Sequence, residues 1–376
     1  MRRRDFLRSS ALLTAVNGSF AFDASADNAL MPEFISFSYL AAAKSRLGET
    51  SFVCLNENAE LICQHDTPSR GHSFAWSVQG HVAAIGRRPA DFCLILDQSG
   101  NKVSELNAVP SRHFYGHGVY DHKGEYLYLT ENDYGFQGSR GVIGVYSVAK
   151  GYARVGEFES AGIGPHQIVL SADGLELIVA NGGIQTHPET GRKKLNLDSM
   201  QPNLAFIDRK TGKLRQKYAL DQLYSKNSIR HMAQHSSGRV YLALQQQVLP
   251  EPACLLACFD PYKQSIEKMP LSQEHETQLS AYVGDIALDE SEQYLALSSP
   301  YGNVLLVINL FDGDVQSLLI SDVCGLSKAA NGSEFIASTG DGKIISVQVS
   351  AKGIAHRELS SGSTALSWDN HLLSLL

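Results

Sequence analysis

The chain has 376 residues, 43% of them hydrophobic and 19% charged, with 32 glycines and a formal net charge of −7. This is the composition of a globular protein, and its mild acidity excludes a basic face for nucleic acid or a polybasic patch for anionic lipid. Beyond the first residues nothing approaches the roughly eighteen uninterrupted apolar residues of a membrane helix, so the mature protein is expected to have no membrane span.

From the start of the chain, Met1-Arg2-Arg3-Arg4-Asp5-Phe6-Leu7 resembles a twin-arginine export signal. Two arginines are followed by Phe and Leu, then a moderate apolar stretch to Phe22 and the small residues Ala24-Ser25-Ala26. Residues 1–27 are therefore expected to be a signal peptide and the mature protein periplasmic. Twin-arginine export carries folded proteins, often because a metal or cofactor is inserted first. Residues 28–48 read as a linker or a short helix through Tyr39-Leu40-Ala41-Ala42-Ala43-Lys44, and residues 49–376 as one folded unit.

Within that unit one pattern recurs. Gly71-His72-Ser73-Phe74, Gly116-His117-Gly118-Val119, Pro165-His166-Gln167-Ile168, Arg230-His231-Met232-Ala233, Gly284-Asp285-Ile286-Ala287, Val323-Cys324-Gly325-Leu326 and Ser363-Thr364-Ala365-Leu366 each open an apolar strand. Each is followed by a turn and a second apolar strand, such as Tyr126-Leu127-Tyr128-Leu129 or Tyr294-Leu295-Ala296-Leu297. A repeat of roughly 40–50 residues built from short strands predicts a β-propeller. The fold class is thus all-β, a seven-bladed propeller with blades at 71–109, 116–160, 165–221, 229–272, 283–320 and 323–360. The seventh is expected to be shared, with two inner strands from 364–376 and two outer strands from 51–67. The third blade is lengthened by a polar insertion, 181–198, expected to cross one face of the disc.

Inner strands of a propeller start at the central channel, so the seven equivalent residues form a ring. His72, His117, His166, His231, Asp285 and Cys324 are the candidate metal ligands, with Thr364 at the seventh place and Arg230 as a candidate contact for an anionic ligand. Imidazoles suit iron or copper, whereas calcium and magnesium require more oxygen ligands. The alternative for any single histidine is a pin that hydrogen-bonds the neighbouring blade. His113 lies near the mouth in sequence, His235 sits deeper or in a turn, and Glu131-Asn132-Asp133 reads as a polar loop. Of six cysteines, Cys54 and Cys63 flank a hairpin turn and face each other, while Cys93, Cys254 and Cys258 read as buried thiols.

Gly164-Pro165-His166-Gln167, the insertion from Asn181-Gly182-Gly183-Ile184 to Leu195-Asn196-Leu197-Asp198, and Ser228-Ile229-Arg230-His231 resemble the bacterial propellers called domain of unknown function 1513. The resemblance covers nearly the whole chain. It implies an exported protein associated with imelysin-like iron-uptake and di-haem proteins, and so a role in iron or copper handling, but no catalytic residues to carry over. A second likeness, to lactonases of the phosphogluconolactonase type, rests on Gly164-Pro165-His166 ahead of the turn Ser171-Ala172-Asp173-Gly174. The ring is also similar in idea to the all-histidine copper channel of nitrous-oxide reductase. Three functions therefore stand open: a metal-binding propeller working with periplasmic metal-handling proteins; a hydrolase or oxidoreductase with His166 or His231 as general base and Arg230 on the substrate; and a protein-binding scaffold. A monomer is expected.

Overall fold

In the computed structural model, residues 37–375 are described apart from 192, 331, 351 and 360–365. The expected signal peptide, residues 28–36 and Thr364 lie outside the described residues. Among the described residues, no helix is long and apolar enough to cross a membrane.

Seven four-stranded antiparallel sheets make a seven-bladed β-propeller. The inner strands of the first six blades are Gly71–Trp76, Arg112–Tyr120, Pro165–Leu170, Asn227–Gln234, Asp285–Leu288 and Val323–Lys328, and each blade then steps outward in chain order. The middle strands are buried on both faces, which is why Val82–Gly86, Phe92–Leu96 and Val304–Asn309 are nearly unbroken apolar runs. Alternate residues of one strand serve different neighbours. Tyr39, Ala41 and Ala43 pack toward the sixth blade with Ile336 and Ile344, while Leu40 and Ala42 pack toward the first with Val82 and Phe92. Equivalent apolar clusters join every other adjacent pair of blades, so the core is a closed ring of interfaces.

The seventh blade is shared between the chain ends, with a division different from the expected one. Its inner strand alone, Leu366–Ser374, comes from the C-terminal end; Tyr39–Ser45, Thr50–Leu55 and Leu61–Thr67 complete it. Two readings are corrected by this. The alanine-rich 39–44 segment is a strand, because burial on both faces overrides its intrinsic helix preference. Asp369-Asn370-His371, which reads as a turn between two strands, is a bulge within one strand: Leu372 pairs with Ala41 and Trp368 with Ala43, leaving three residues opposite Ala42.

The 181–198 insertion does lie across one face. Asn132 Nδ2 donates to its Thr186 carbonyl at 3.3 Å, and its His187 ring meets Tyr134 edge-on at 5.2 Å.

Cys54 and Cys63 are direct cross-strand partners. Their sulfurs converge beside Gly100, where a Cβ would lie 2.5 Å from Cys63 Sγ and 3.2 Å from Cys54 Sγ. Only glycine fits there. The hydrogen bond from Cys54 draws the Cys63 thiol down to about 6, so it supplies the attacking thiolate. Oxidised glutathione is expected to join the pair, two protons and two electrons leaving the thiols, with a gain of about 2 kcal/mol in stability. Peptide mapping under non-reducing conditions and a melting curve check this; both thiols remaining alkylatable would refute it.

Candidate metal centre at the channel mouth

The residues at the mouth are placed by bulges. In blade one the register runs from Gly71–Gly86 to Ser73–Ile85 and leaves His72 unpaired; in blade three it leaves His166, and in blade four Arg230 just ahead of His231. Blade two bulges by three residues, Tyr115 to His117, opposite Thr130, whose hydroxyl donates to the His117 carbonyl at 3.0 Å. The seventh blade does the same with Asp369 to His371. A bulge bends the strand and re-aims its side chain, which turns these residues off the sheet face and toward the axis. Gly116 is required for the same packing: at φ 107° its Cβ would lie 2.3 Å from the His72 ring.

Five imidazoles meet there. Ring centroids are 4.9 Å apart for His72–His117, 5.0 Å for His117–His166, 4.8 Å for His166–His231, 4.5 Å for His231–His371 and 4.6 Å for His72–His371. All are buried. Two triads bring ligand nitrogens within 4.8 Å of one another: His72, His117 and His166, and His117, His231 and His371. Nitrogens bound at ~2.1 Å to one ion are closer than that limit, so closing on an ion requires ring shifts of under about 1 Å.

Four of the expected histidines are thus gathered. Asp285 and Cys324 stand elsewhere. Asp285 Oδ2 accepts from His371 Nδ1 at 3.0 Å and from the Leu326 amide at 2.9 Å, one step behind the ring. Cys324 turns into the apolar cluster between blades six and seven, its Sγ 3.2 Å from the Asp369 carbonyl oxygen, and burial pushes its thiol up to about 12. His371 is the seventh blade's contribution among the described residues, and sequence reasoning missed it. Of the other candidates, His113 is held between the Phe114 carbonyl and Asn132, His235 caps the Ser237 turn, and Glu131 is buried among Arg112, Arg154 and Tyr146.

The electrostatics keep four of these imidazoles neutral. Burial, aided by neighbouring positive groups, drives His117, His166 and His231 well below the ordinary histidine value; at His72 burial outweighs the opposing Asp369 and draws it down to about 3. Asp369 sits beside His72, 3.6 Å from its Nδ1, and takes Arg87 and Arg70 at 2.6 Å each. Burial would raise its pKa, but these cations and His72 outweigh burial and hold it well below the carboxylate range.

Hydrogen bonding sorts the tautomers. Because the Asp285 carboxylate only accepts, His371 carries its proton on Nδ1 and turns the Nε2 lone pair inward. That Nε2, His117 Nε2 and His231 Nδ1 are buried without a hydrogen-bond partner. A carboxylate behind a ring whose far nitrogen is free is the arrangement that orients a metal-binding histidine. His166 differs: Arg230 Nη1 donates to its Nδ1 at 3.3 Å, so its proton sits on Nε2. In that tautomer His166 presents a donor rather than a general base. Arg230, buried, is drawn down to about 9 by desolvation and by Arg88.

A cavity of about 60 Å³ opens above the rings, bordered by Arg87, Arg88, Tyr115, Arg230, Tyr282 and Asn370 among others.

No match was found among curated proteins. Solved structures match as folds. A chain of Kuenenia stuttgartiensis hydrazine synthase superimposes with a TM-score of 0.58 at 12% identity, covering 82% of this chain and 89% of that one. The Myceliophteria thermophila Cps50 (Swd1) β-propeller domain gives 0.58 at 12%, covering 84% and 98%. A chain of the mitotic checkpoint complex gives 0.54 at 14%, covering 76% and 78%. At such identities these likenesses speak for the propeller alone. A family model matches residues 65–375, a span that holds all five clustered histidines and Arg230, and by it the chain belongs to the family described as "Protein of unknown function (DUF1513)".

Proposed function

We propose that this is an exported, periplasmic propeller that binds one transition-metal ion, iron or copper, through His117, His231 and His371. Its role would be to hold or hand on that ion among periplasmic metal-handling proteins. The observation that carries the reading is the set of three buried imidazoles with unpartnered nitrogens, one of them backed by Asp285. Neutral imidazole is a strong ligand for these metals. Burial also removes proton competition at His117 and His231, whose rings are already deprotonated at neutral pH. The twin-arginine start supports export of a folded, loaded protein.

The test is metal titration of protein stripped with a chelator. One equivalent of iron(II) or copper is expected to bind. His117→Ala, which removes a member common to both triads, is expected to abolish stoichiometric binding. Asp285→Asn should weaken it about 10–100-fold by loosening His371. Circular dichroism confirms folding of each variant. Full metal occupancy in a folded His117→Ala protein would refute the site.

A further inference from the structure

Three residues that line the mouth cavity each carry a polar group with nothing to accept from it: Arg230 Nε, His166 Nε2 and Tyr115 Oη are all buried and without a hydrogen-bond partner. Their residues are only 5%, 7% and 1% exposed, so bulk water does not serve them. Each is a donor. Arginine can only donate, Arg230 itself forces the His166 proton onto Nε2, and a phenol hydroxyl donates to any acceptor offered. Leaving such groups buried and unmet costs about 1–3 kcal/mol each.

Charge points the same way. Of Arg87, Arg88 and Arg230 around the cavity, only Arg87 has a carboxylate partner among the described residues, Asp369 at 2.6 Å. That carboxylate is already shared with Arg70. Arg88 lines the same cavity and stands over the Tyr115 ring at 5.6 Å. Water satisfies hydrogen bonds but cannot balance the two remaining guanidinium charges.

We infer that the mouth binds a small oxyanion of the carboxylate, carbonate or phosphate class. Its oxygens accept from Arg230, His166 Nε2 and Tyr115 Oη, with Arg88 as a further counter-charge. A space of about 60 Å³ admits one oxyanion head and no large body, so a bigger ligand would enter by a single arm. His72 and His231 line the same cavity, which sets the anion beside the imidazole ring. There it would complete the coordination of a bound ion and offset its charge. That coupling rests on the metal reading; the anion pocket does not.

Calorimetric titration of metal-stripped protein with inorganic phosphate, bicarbonate, acetate and citrate tests this. Saturable one-to-one binding of at least one of them is expected. Arg230→Gln should weaken it at least ~10-fold and Tyr115→Phe several-fold. Arg239→Gln, at an exposed arginine paired with Asp260 in the turn between the two inner strands of blade four, should leave it unchanged. Binding of citrate alone assigns the pocket to the carboxylate arm of a larger chelator, and binding of the small ions assigns it to a free oxyanion. Absence of binding by all four overturns the inference, as does equal weakening by Arg239→Gln. Tyr115→Phe loses only a hydroxyl, so it remains informative where Arg230→Gln fails to fold. Since metal is absent throughout, failure of the metal site leaves these titrations readable.

Discussion

Metal-free protein is expected to unfold cooperatively between about pH 5 and 6, taking up about four protons as it does so. His72, His117, His166 and His231 are neutral in the folded state because burial penalises their charged form. In the unfolded chain a histidine titrates near 6.5. Above that value the rings are neutral in both states and pH has no leverage through them. Below it the unfolded chain takes protons that the folded channel refuses. Each ring then removes about 1.4 kcal/mol of stability per pH unit, a loss that for His72 continues down to its folded value of about 3. Near pH 5.5 four rings together remove roughly 6 kcal/mol, comparable to the whole stability of a typical domain. Asp369, held low in the folded state, adds a further loss only in stronger acid. Bound metal occupies the lone pairs selectively in the folded state and should move the transition to lower pH. Fluorescence of Trp76 and Trp368 against pH, with and without metal, measures both effects. His231→Asn should lower the proton uptake by one. A metal-free transition below pH 4 would contradict the account.

The same chemistry explains what was legible beforehand. Blades one to six could be read because each inner strand begins with a short polar or small word and ends at a turn, and because four such words carry histidine. The four histidines come together since bulges that include His72, His117 and His166, and one at Arg230 immediately before His231, bend their strands at the channel mouth. His371 was not legible by the same rule. Its bulge, Asp369-Asn370-His371, consists of residues typical of turns, and the chain passes through it without turning. Spacing held a usable signal: His371 follows Cys324 at an interval inside the roughly 40–50-residue repeat, as Thr364 does. Asp285 and Cys324 occupy the expected strand starts, yet a strand start fixes only where the backbone lies. The inner strand of blade five has no bulge, so Asp285 reaches sideways to His371 and to the sixth blade's backbone. Cys324 lies within a bulge, and its small thiol is drawn toward apolar neighbours and carbonyls. The tautomers of His166 and His371 depend on partners far away in sequence, Arg230 and Asp285, and no local pattern encodes them.

Removing residues 366–376 is expected to abolish cooperative folding. That strand buries Trp368 and Leu372 in the interface with blade six and covers the inner edge of Tyr39–Ser45. Fully burying two such side chains contributes about 1.5–3 kcal/mol each. The strand also carries Asp369, whose loss would take the carboxylate partner from both Arg87 and Arg70 and so remove two charge-assisted pairs. The exposed strand edge would then invite association. Chain closure differs from ordinary packing here, because the ring is completed only when the two ends of the polypeptide pair. Leu372→Ala keeps the strand and should cost about 2–5 kcal/mol while leaving a single transition. Thermal melting and size-exclusion chromatography distinguish the two variants: the truncation should lose its transition and aggregate, and the point variant should melt early as a monomer. A truncated protein that melts sharply near the wild-type temperature would mean that six blades hold the ring closed without the seventh inner strand.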